Sequence, residues 1–501
     1  MSRDSRRHQA ASGKQRKSYR QTTSSSRSRN QYSPARRGGP RPGFRPEPNP
    51  ARAAEREAAL RLHRELQAAL ELPAPPPATF AELGVPALLV ARLAAQGIHE
   101  PFAIQSRALP DALAGRDVLG RAQTGSGKTL AFGVPMLARL AGRTGDAPRR
   151  EKSPRGLILV PTRELARQVA DVLVPLGHAQ RVSVMTVYGG VAISRQIDRL
   201  RRGVDIVVAT PGRLIDLMER NACALDQVSI TVLDEADHMA DLGFLPSVTQ
   251  ILDATPAGGQ RMLFSATLDR GVAGLVTSYL SDPALHAVAP AAGSDEVQHE
   301  VFVLPAGDKL AIATEIAGRE GRTLIFVRTK HGADRLAGQL TRAGVSAAAI
   351  HGDLNQNQRQ RALAAFTAGD PRVLVATDVA ARGIHVDDVG LVVHYDPPHD
   401  HKDYLHRSGR TARAGAAGAV LALVEPSQVK EVGKIHDAAG VKAVSHHVAP
   451  GHQAVREVAE SGTPIAPVVA LTPAKPNRAS NRRRPHSARP ARRANPRRAA
   501  S

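Results

Sequence analysis

Residues 122–129 read AQTGSGKT and lie between an apolar strand-like run and a helix-like run. Gly125 and Gly127 can turn the backbone so that several N–H groups face one small cavity, which is how a chain cradles phosphate oxygens. Lys128 would place a point charge on the outer phosphates, and the Thr129 hydroxyl is suited to Mg²⁺. The strict pattern has Gly at its first position, where this chain has Ala122. Downstream, Leu233 ends an apolar run and Asp234, Glu235, Ala236 and Asp237 follow at once. Asp234 can hold Mg²⁺ through water opposite the Lys128 loop, and the neighbouring carboxylate can orient or deprotonate a water for attack on a γ-phosphate. Alone, an acidic run after a strand is an ordinary turn. Paired with a phosphate loop, it points to nucleoside triphosphate chemistry.

Such side chains need a rigid frame, and the flanking pattern supplies one. Short β-branched runs alternate with helical patterns: GLILVPT (156–162), VSVMTVYGG (182–190), DIVVATPGR (205–213), ITVLDEAD (230–237) and RMLFSAT (261–267). A second set of the same grammar follows: TLIFVRT (323–329), SAAAIHGD (346–353), RVLVATD (372–378) and LVVHYDP (391–397). Continuous apolar strands alternating with helices predict parallel sheets covered on both faces. Two α/β domains of one architecture are therefore expected, at 73–290 and 297–445, joined near 285–297, where APAAGSDE (289–296) supplies a flexible link. The chemistry-bearing residues fall where strands end, the edge at which open parallel sheets bind ligands.

The chain has 501 residues, enough for two or three domains, and a formal net charge of +22. Residues 1–72 hold 17 Lys+Arg against 6 Asp+Glu, and residues 446–501 hold 11 against 2, so a near-neutral body carries two basic ends. Arg-rich ends of this kind attract polyanions by counterion release, without sequence preference. Residues 1–50 are rich in Ser, Arg, Pro and Gly, residues 51–72 form a charged helical pattern, and residues 446–501 turn Pro- and Arg-rich. Disordered tails are expected at both ends, the first carrying a helix. No apolar run reaches membrane-spanning length, and the N-terminus lacks the apolar stretch of a signal peptide, so a cytoplasmic protein is expected. The single cysteine, Cys223, reads as a small semi-buried hydrophobe. His394, His399, His401 and His406 have no Cys or acidic partners at ligand spacing, so no metal site is expected there.

The ordered series AQTGSGKT, PTRELARQ (161–168), YGG (188–190), TPGR (210–213), DEAD (234–237), SAT (265–267), HGD (351–353), ATDVAARG (376–383) and HRSGRTAR (406–413) resembles the motifs of DEAD-box RNA helicases. The resemblance covers about residues 78–430. It implies two tandem RecA-like domains with parallel β-sheets, flanked by disordered basic tails. It also implies RNA-stimulated hydrolysis of ATP with Mg²⁺, local unwinding of short RNA duplexes or remodelling of RNA–protein complexes, and sequence-independent contacts to the RNA backbone. Ribosomal or RNA-degradation complexes are compatible partners, and no membrane partner is expected. An ATP-gated RNA clamp, or an RNA-annealing protein with little unwinding, fits the same motifs.

Carried over by position, the resemblance assigns roles. Lys128, Asp234, Glu235, Arg410 and Arg413 are the catalytic set, the two arginines as fingers on the leaving phosphates. Phe80 would pack on the adenine and Gln105 would read its edge. Ala122, Gln123, Thr124, Gly125, Ser126, Gly127, Lys128 and Thr129 would hold the phosphates, with Thr129 and Asp234 toward the metal. Ser265, Thr267, Asp237 and His406 would couple nucleotide state to strand separation. Arg163, Gly190, Thr210, Arg213, Arg359 and Thr377 would contact RNA, with His351, Gly352, Asp353, Gln356 and again Arg359 at interdomain or RNA contacts. Arg407 is open between such a role and a structural salt bridge. Three departures stand out: Phe102 where the family usually has Thr, Ala412 where it has Gly, and His385 where an Asp contacts the ribose hydroxyls. Imidazole keeps one hydrogen bond there but loses the charge-assisted one.

Overall fold

The structure, a computed structural model, describes residues 50–73, 75–76, 78–123, 125–141, 150–288, 297–381, 389–411 and 418–462. The expected link at 289–296 and most of both basic ends lie outside the described residues. Within them stand two lobes, each built on a seven-stranded sheet. The first sheet holds β1 (Val118–Arg121), β2 (Gly156–Leu159), β3 (Val184–Val187), β4 (Ile206–Ala209), β5 (Ile230–Asp234), β6 (Gln260–Ser265) and β7 (Ala284–Ala287). The second holds β8 (Val297–Val303), β9 (Arg322–Phe326), β10 (Ala347–Ile350), β11 (Val373–Ala376), β12 (Val389–His394), β13 (Gly418–Val424) and β14 (Val444–His447). Their orders are β3-β4-β2-β5-β6-β1-β7 and β10-β11-β9-β12-β13-β8-β14, with every pairing parallel. Counted within each lobe, the two permutations are identical.

The first lobe carries α1 (Pro50–Glu71), α2 (Ala87–Ala94), α3 (Ala103–Ala114), α4 (Lys128–Ala141), α5 (Arg163–Ala179), α6 (Ile193–Arg201), α7 (Pro211–Glu219), α8 (Ala236–Asp241), α9 (Leu245–Asp253) and α10 (Arg270–Tyr279). The second carries α11 (Lys309–Ala317), α12 (Lys330–Arg342), α13 (Gln356–Ala368), α14 (Asp378–Ala381), α15 (His401–Ser408), α16 (Val429–Ala439) and α17 (Gln453–Glu460). Because consecutive side chains of a strand point to opposite faces, each apolar run feeds two cores. Ile158, Val208 and Val232 enter one core of the first lobe, while Leu157, Leu159 and Leu233 enter the other. Ile325, Val375 and Val393 oppose Leu324, Leu374 and Val392 in the second lobe.

Both expected tail boundaries move outward. Helix α1 lays Leu62, Leu66 and Ala69, one stripe of its surface, into a core of the first lobe. Arg107 pins its C-terminal end by donating to the carbonyls of Ala69, Leu72 and Pro73, and also to that of Ala287, the last residue of β7. At the other end the second lobe does not stop at 445. β14 adds a parallel edge strand to β8, and α17 buries Ala454, Val455 and Val458 beside Val448. The disordered tail expected from 446 is corrected to this extent: backbone pairing and one apolar helix face hold the chain as far as Glu460.

Candidate functional site

Sheet order decides what can meet. β6 lies between β5 and β1, so three adjacent C-terminal strand ends carry the acidic run, the Ser265–Thr267 segment and the phosphate loop. β3, β4 and β2 form the other half of the same sheet, and their ends carry Gly189 and Gly190, Thr210, and Arg163. One sheet edge is thus split into an acidic and phosphate-loop half and an arginine-bearing half.

In the phosphate loop, Gly125 and Gly127 adopt φ of +90° and +85°, a region costly for residues with a Cβ. Lys128 is buried, and its Nζ donates to the carbonyls of Ala122 (2.8 Å) and Gln123 (3.0 Å). The ammonium is therefore fixed at the root of its own loop. Ser126 Oγ donates to the Gln123 carbonyl at 2.7 Å, tightening the turn. Gln105 sits beneath: its Nε2 donates to the Gly127 carbonyl at 2.9 Å and its Oε1 accepts from the Phe102 N–H at 2.9 Å. Gln105 thus ties α3 to the phosphate loop. Phe80 is a core residue. It is 2% exposed, packed in the core with Leu89 and Leu93 of α2, so the expectation that it packs on a base is corrected. Thr124 lies outside the described residues.

The acidic run is a connected network. Glu235 occupies the left-handed region (φ +53°, ψ +51°), strained for a residue with a Cβ, at the start of α8. Asp234 is buried, accepts from the Glu235 N–H at 3.0 Å, and is pushed up to about 7 by burial, with Glu235 and Asp237 adding to the rise and Lys128 opposing it. Glu235 moves the other way. Burial raises it, but the His238 hydrogen bond and charge, with Arg410 and Lys128, outweigh burial and bring it to about 2. His238 Nδ1 lies 3.1 Å from Glu235 Oε2. Asp237 accepts from Thr267 N–H (2.8 Å), Thr267 Oγ1 (2.9 Å) and the His238 N–H (3.0 Å). Ser265 Oγ accepts from the Asp237 N–H at 3.2 Å and donates to the Thr267 carbonyl at 2.7 Å. Three of these bonds, the two from Thr267 to Asp237 and the one from Asp237 to Ser265, lock the end of β6 to α8.

The second lobe closes this side. Arg410 is 6% exposed, and its charge is among those that hold Glu235 ionised. His406 brings its ring to 6.1 Å from that of His238. Lys402 on α15 bridges to Asp269 (2.8 Å) and Asp241 (3.5 Å) of the first lobe. Arg407 resolves as structural: it grips both oxygens of Asp378 (2.6 and 2.8 Å), donates to the Asp396 carbonyl (2.7 Å), and lies over the Phe326 ring. Arg413 and His385 lie outside the described residues.

On the other half of the edge, Arg163 covers Gly190 so closely that a Cβ there would strike its guanidinium. Arg213 reaches the same turn, donating to the Val191 carbonyl at 3.2 Å. Thr210 stands at the start of α7 with its side chain unused as a cap. Thr377 follows β11, its carbonyl accepting from Ala380 and Ala381. Arg359, expected at an interdomain or RNA contact, makes an interdomain one. Its Nη2 pairs with Glu164 across the lobes at 3.1 Å and with the Ala380 carbonyl at 3.2 Å, leaving the guanidinium engaged inside the protein. Gln356 joins it on Glu164 at 3.2 Å.

Sequence reasoning passed over His238, Lys402 and Glu164. The i,i+3 spacing of Glu235 and His238, one helical turn, was the available signal for the first. Nothing local announces the other two, whose partners come from the opposite lobe. Among the described residues no cluster of three His, Cys, Asp or Glu could hold a metal ion.

Two family profiles match: "DEAD/DEAH box helicase" over residues 102–275 and "Helicase conserved C-terminal domain" over residues 308–415. RNA helicase CrhR of Synechocystis sp. is 43% identical over 353 residues, covering 70% of each chain. DEAD-box ATP-dependent RNA helicase 53 of Oryza sativa subsp. japonica is 41% identical over 376 residues, covering 72% of this chain and 60% of that protein. ATP-dependent RNA helicase DeaD of Mycobacterium tuberculosis is 42% identical over 360 residues, covering 71% and 62%. The chain thus spans about three fifths of the length of the last two. Among solved structures, S. cerevisiae Dbp5 bound to RNA and ADP BeF3 superposes with a TM-score of 0.66 at 29% identity, covering 76% of this chain and 100% of that one. With the motif series at the strand ends of two matching sheets, these matches establish that the chain belongs to the DEAD-box RNA helicase family.

Proposed function

We propose that this chain is an ATP-dependent RNA helicase. It hydrolyses ATP to ADP and phosphate in an RNA-stimulated manner, and locally opens short RNA duplexes or remodels RNA–protein complexes. One observation carries the reading: Glu235, bent out of line by its left-handed backbone, is held ionised by His238 of its own lobe and by Arg410 of the other. An ionised carboxylate can accept a proton from an attacking water, and an arginine from the facing lobe can neutralise charge on the transferred phosphoryl group. Neither lobe alone supplies both.

The residues divide the work. Lys128 meets the outer phosphates, and the N–H groups of the glycine-turned loop meet the inner ones. Mg²⁺, when bound, supplies charge neutralisation at the phosphate oxygens; the Thr129 hydroxyl and the buried Asp234 carboxyl are oxygen donors of the kind it takes, and would hold it. Glu235 orients the water, and Arg410, with Arg413 as its partner in the resemblance, stabilises the transition state. Asp237, Ser265 and Thr267 transmit a shift of α8 to the end of β6. Arg163, Gly190, Thr210, Arg213 and Thr377 track the RNA backbone, which gives binding without sequence preference. RNA is the partner, the cytoplasm is the compatible site of action, and ribosomal or RNA-degradation assemblies are compatible settings. Among the described residues no helix is long and apolar enough to cross a membrane.

The test compares ATP turnover of the full chain with no nucleic acid, single-stranded RNA, duplex RNA and DNA, alongside strand displacement on a short RNA duplex. Glu235→Gln should bind ATP and fail to turn it over. Turnover indifferent to RNA, or a fully active Glu235→Gln, would overturn the proposal.

A further inference from the structure

We propose that Phe102 is the stacking platform for the base of the bound nucleotide, an inference that rests on the ATP site proposed above. The chain is poor in aromatic residues, at 3% of the sequence. Among the large exposed apolar side chains of the described residues, Phe102 is the one aromatic, with 57% of its surface open. An aromatic ring left in water costs hydrophobic free energy unless something covers it in use.

Its position says what covers it. The ring lies against Gly127, the residue before Lys128: a Cβ on Gly127 would stand 2.6 Å from Phe102 Cδ2 and would also strike the Gln105 amide. Ring and amide thus lie side by side against one turn of the phosphate loop. With Lys128 fixing the phosphate end of a nucleotide, the flank that offers an open π face is the one suited to a base. The support is rigid. Phe102 is the residue before α3, its N–H is bound by Gln105 Oε1 at 2.9 Å, and α3 is anchored by buried Ile104, Ala108, Leu109 and Ala112. Gln105 is 2% exposed with both amide atoms engaged inside the protein, so it steadies the support and leaves the open face to the ring. Phe80, the aromatic first expected to pack on the base, is 2% exposed and offers no comparable open face. Phe102 stands where the family usually has Thr, so the platform is a property of this chain.

Stacking tolerates any base, because every base has a π face, whereas the phosphates are held by Lys128 and the loop regardless. The experiment therefore compares affinities of the full chain for ATP, ADP and inorganic tripolyphosphate by isothermal titration calorimetry. Phe102→Ala and Phe102→Thr should weaken ATP and ADP on the order of ten-fold, the range of a lost base–aromatic stack. Tripolyphosphate affinity should stay within about two-fold. Phe102→Trp should restore ATP binding, and the ratio of ATP to GTP affinity should hold across the variants. Equal losses for ATP and tripolyphosphate would overturn the platform, since Phe102 would then act only on the shape of the loop. Unchanged ATP affinity in both truncations would overturn it as well. A wild-type chain that binds neither ATP nor tripolyphosphate would instead remove the ATP site on which the inference rests.

Discussion

Replacing Arg407 by Met should destabilise the second lobe without touching the nucleotide. The side chain is 2% exposed and holds Asp378 through two charge-assisted bonds of 2.6 and 2.8 Å, with a third bond to the Asp396 carbonyl. Methionine keeps much of the apolar stem that crosses the Phe326 ring but leaves the Asp378 carboxylate without its cation. Removing one partner of a buried ion pair costs about 3–5 kcal/mol. Asp378 keeps 18% of its side chain exposed, so water recovers part of its solvation and the lower end, about 3 kcal/mol, applies. For a lobe of this size that corresponds to a fall in Tm of about 6–12 °C. Differential scanning calorimetry of the full chain reads the shift, and hydrogen exchange at α15 and β12 assigns it to the second lobe. Replacing both residues, Arg407→Met with Asp378→Leu, should recover most of the loss, because no orphaned charge remains. If Arg407→Met melts like the wild type while ATP turnover collapses, the residue acts on ligand and the structural assignment is wrong.

Acid should unfold the second lobe before it protonates surface carboxylates. His394, His299 and His436 surround Tyr404, and burial holds all three below the usual histidine value, His299 at about 4. The unfolded chain takes up protons below about pH 6.5 that the folded lobe refuses, so stability is full above that pH and is lost as pH falls toward 4. Tm measured from pH 7.5 to 4.5 should decline through this window, and His394→Phe should flatten the decline; a flat wild-type profile would contradict the mechanism. Cys223, 4% exposed and with its thiol pushed up to about 12 by burial, should resist iodoacetamide at pH 8 in the folded chain and react on denaturation. Rapid alkylation of the native protein would show that this pocket opens.

The parts of the fold written in local pattern were readable. β2, β4 and β5 are runs of branched apolar residues broken by Pro or by charge, and such runs specify strands buried on both faces. The motifs sit at the breaks, so their gathering at one sheet edge followed from the strands. What escaped depends on facing surfaces. Nothing local separates Phe80, buried under α2, from Phe102, exposed on the phosphate loop. Arg359 reads as an interdomain or RNA-binding arginine, and only the other lobe supplies its partner Glu164. The extent of the second lobe was missed because β14 pairs through its backbone, while α17 presents only three buried apolar residues among charged ones.

The identical strand permutation in both lobes bears on how RNA and ATP could act on each other. In the first lobe, β2 and β5 are neighbours, so the last strand of the arginine-bearing half touches the first strand of the acidic half. Contacts to the second lobe occur on both halves: Glu164, on the helix after β2, meets Gln356 and Arg359, while Asp269 and Asp241, near the ends of β6 and α8, meet Lys402. A rigid sheet cannot engage one set and release the other without tilting as a unit. Approach of the lobes therefore forms the Glu164 cluster, the Lys402 bridges and the Arg410 influence on Glu235 in one movement. Two ligands that each bridge the lobes would favour that same movement, and linkage then requires each to raise the affinity of the other by an equal factor. On this geometry coupling needs no dedicated signalling path between the sites, because both halves of the edge belong to the same two bodies.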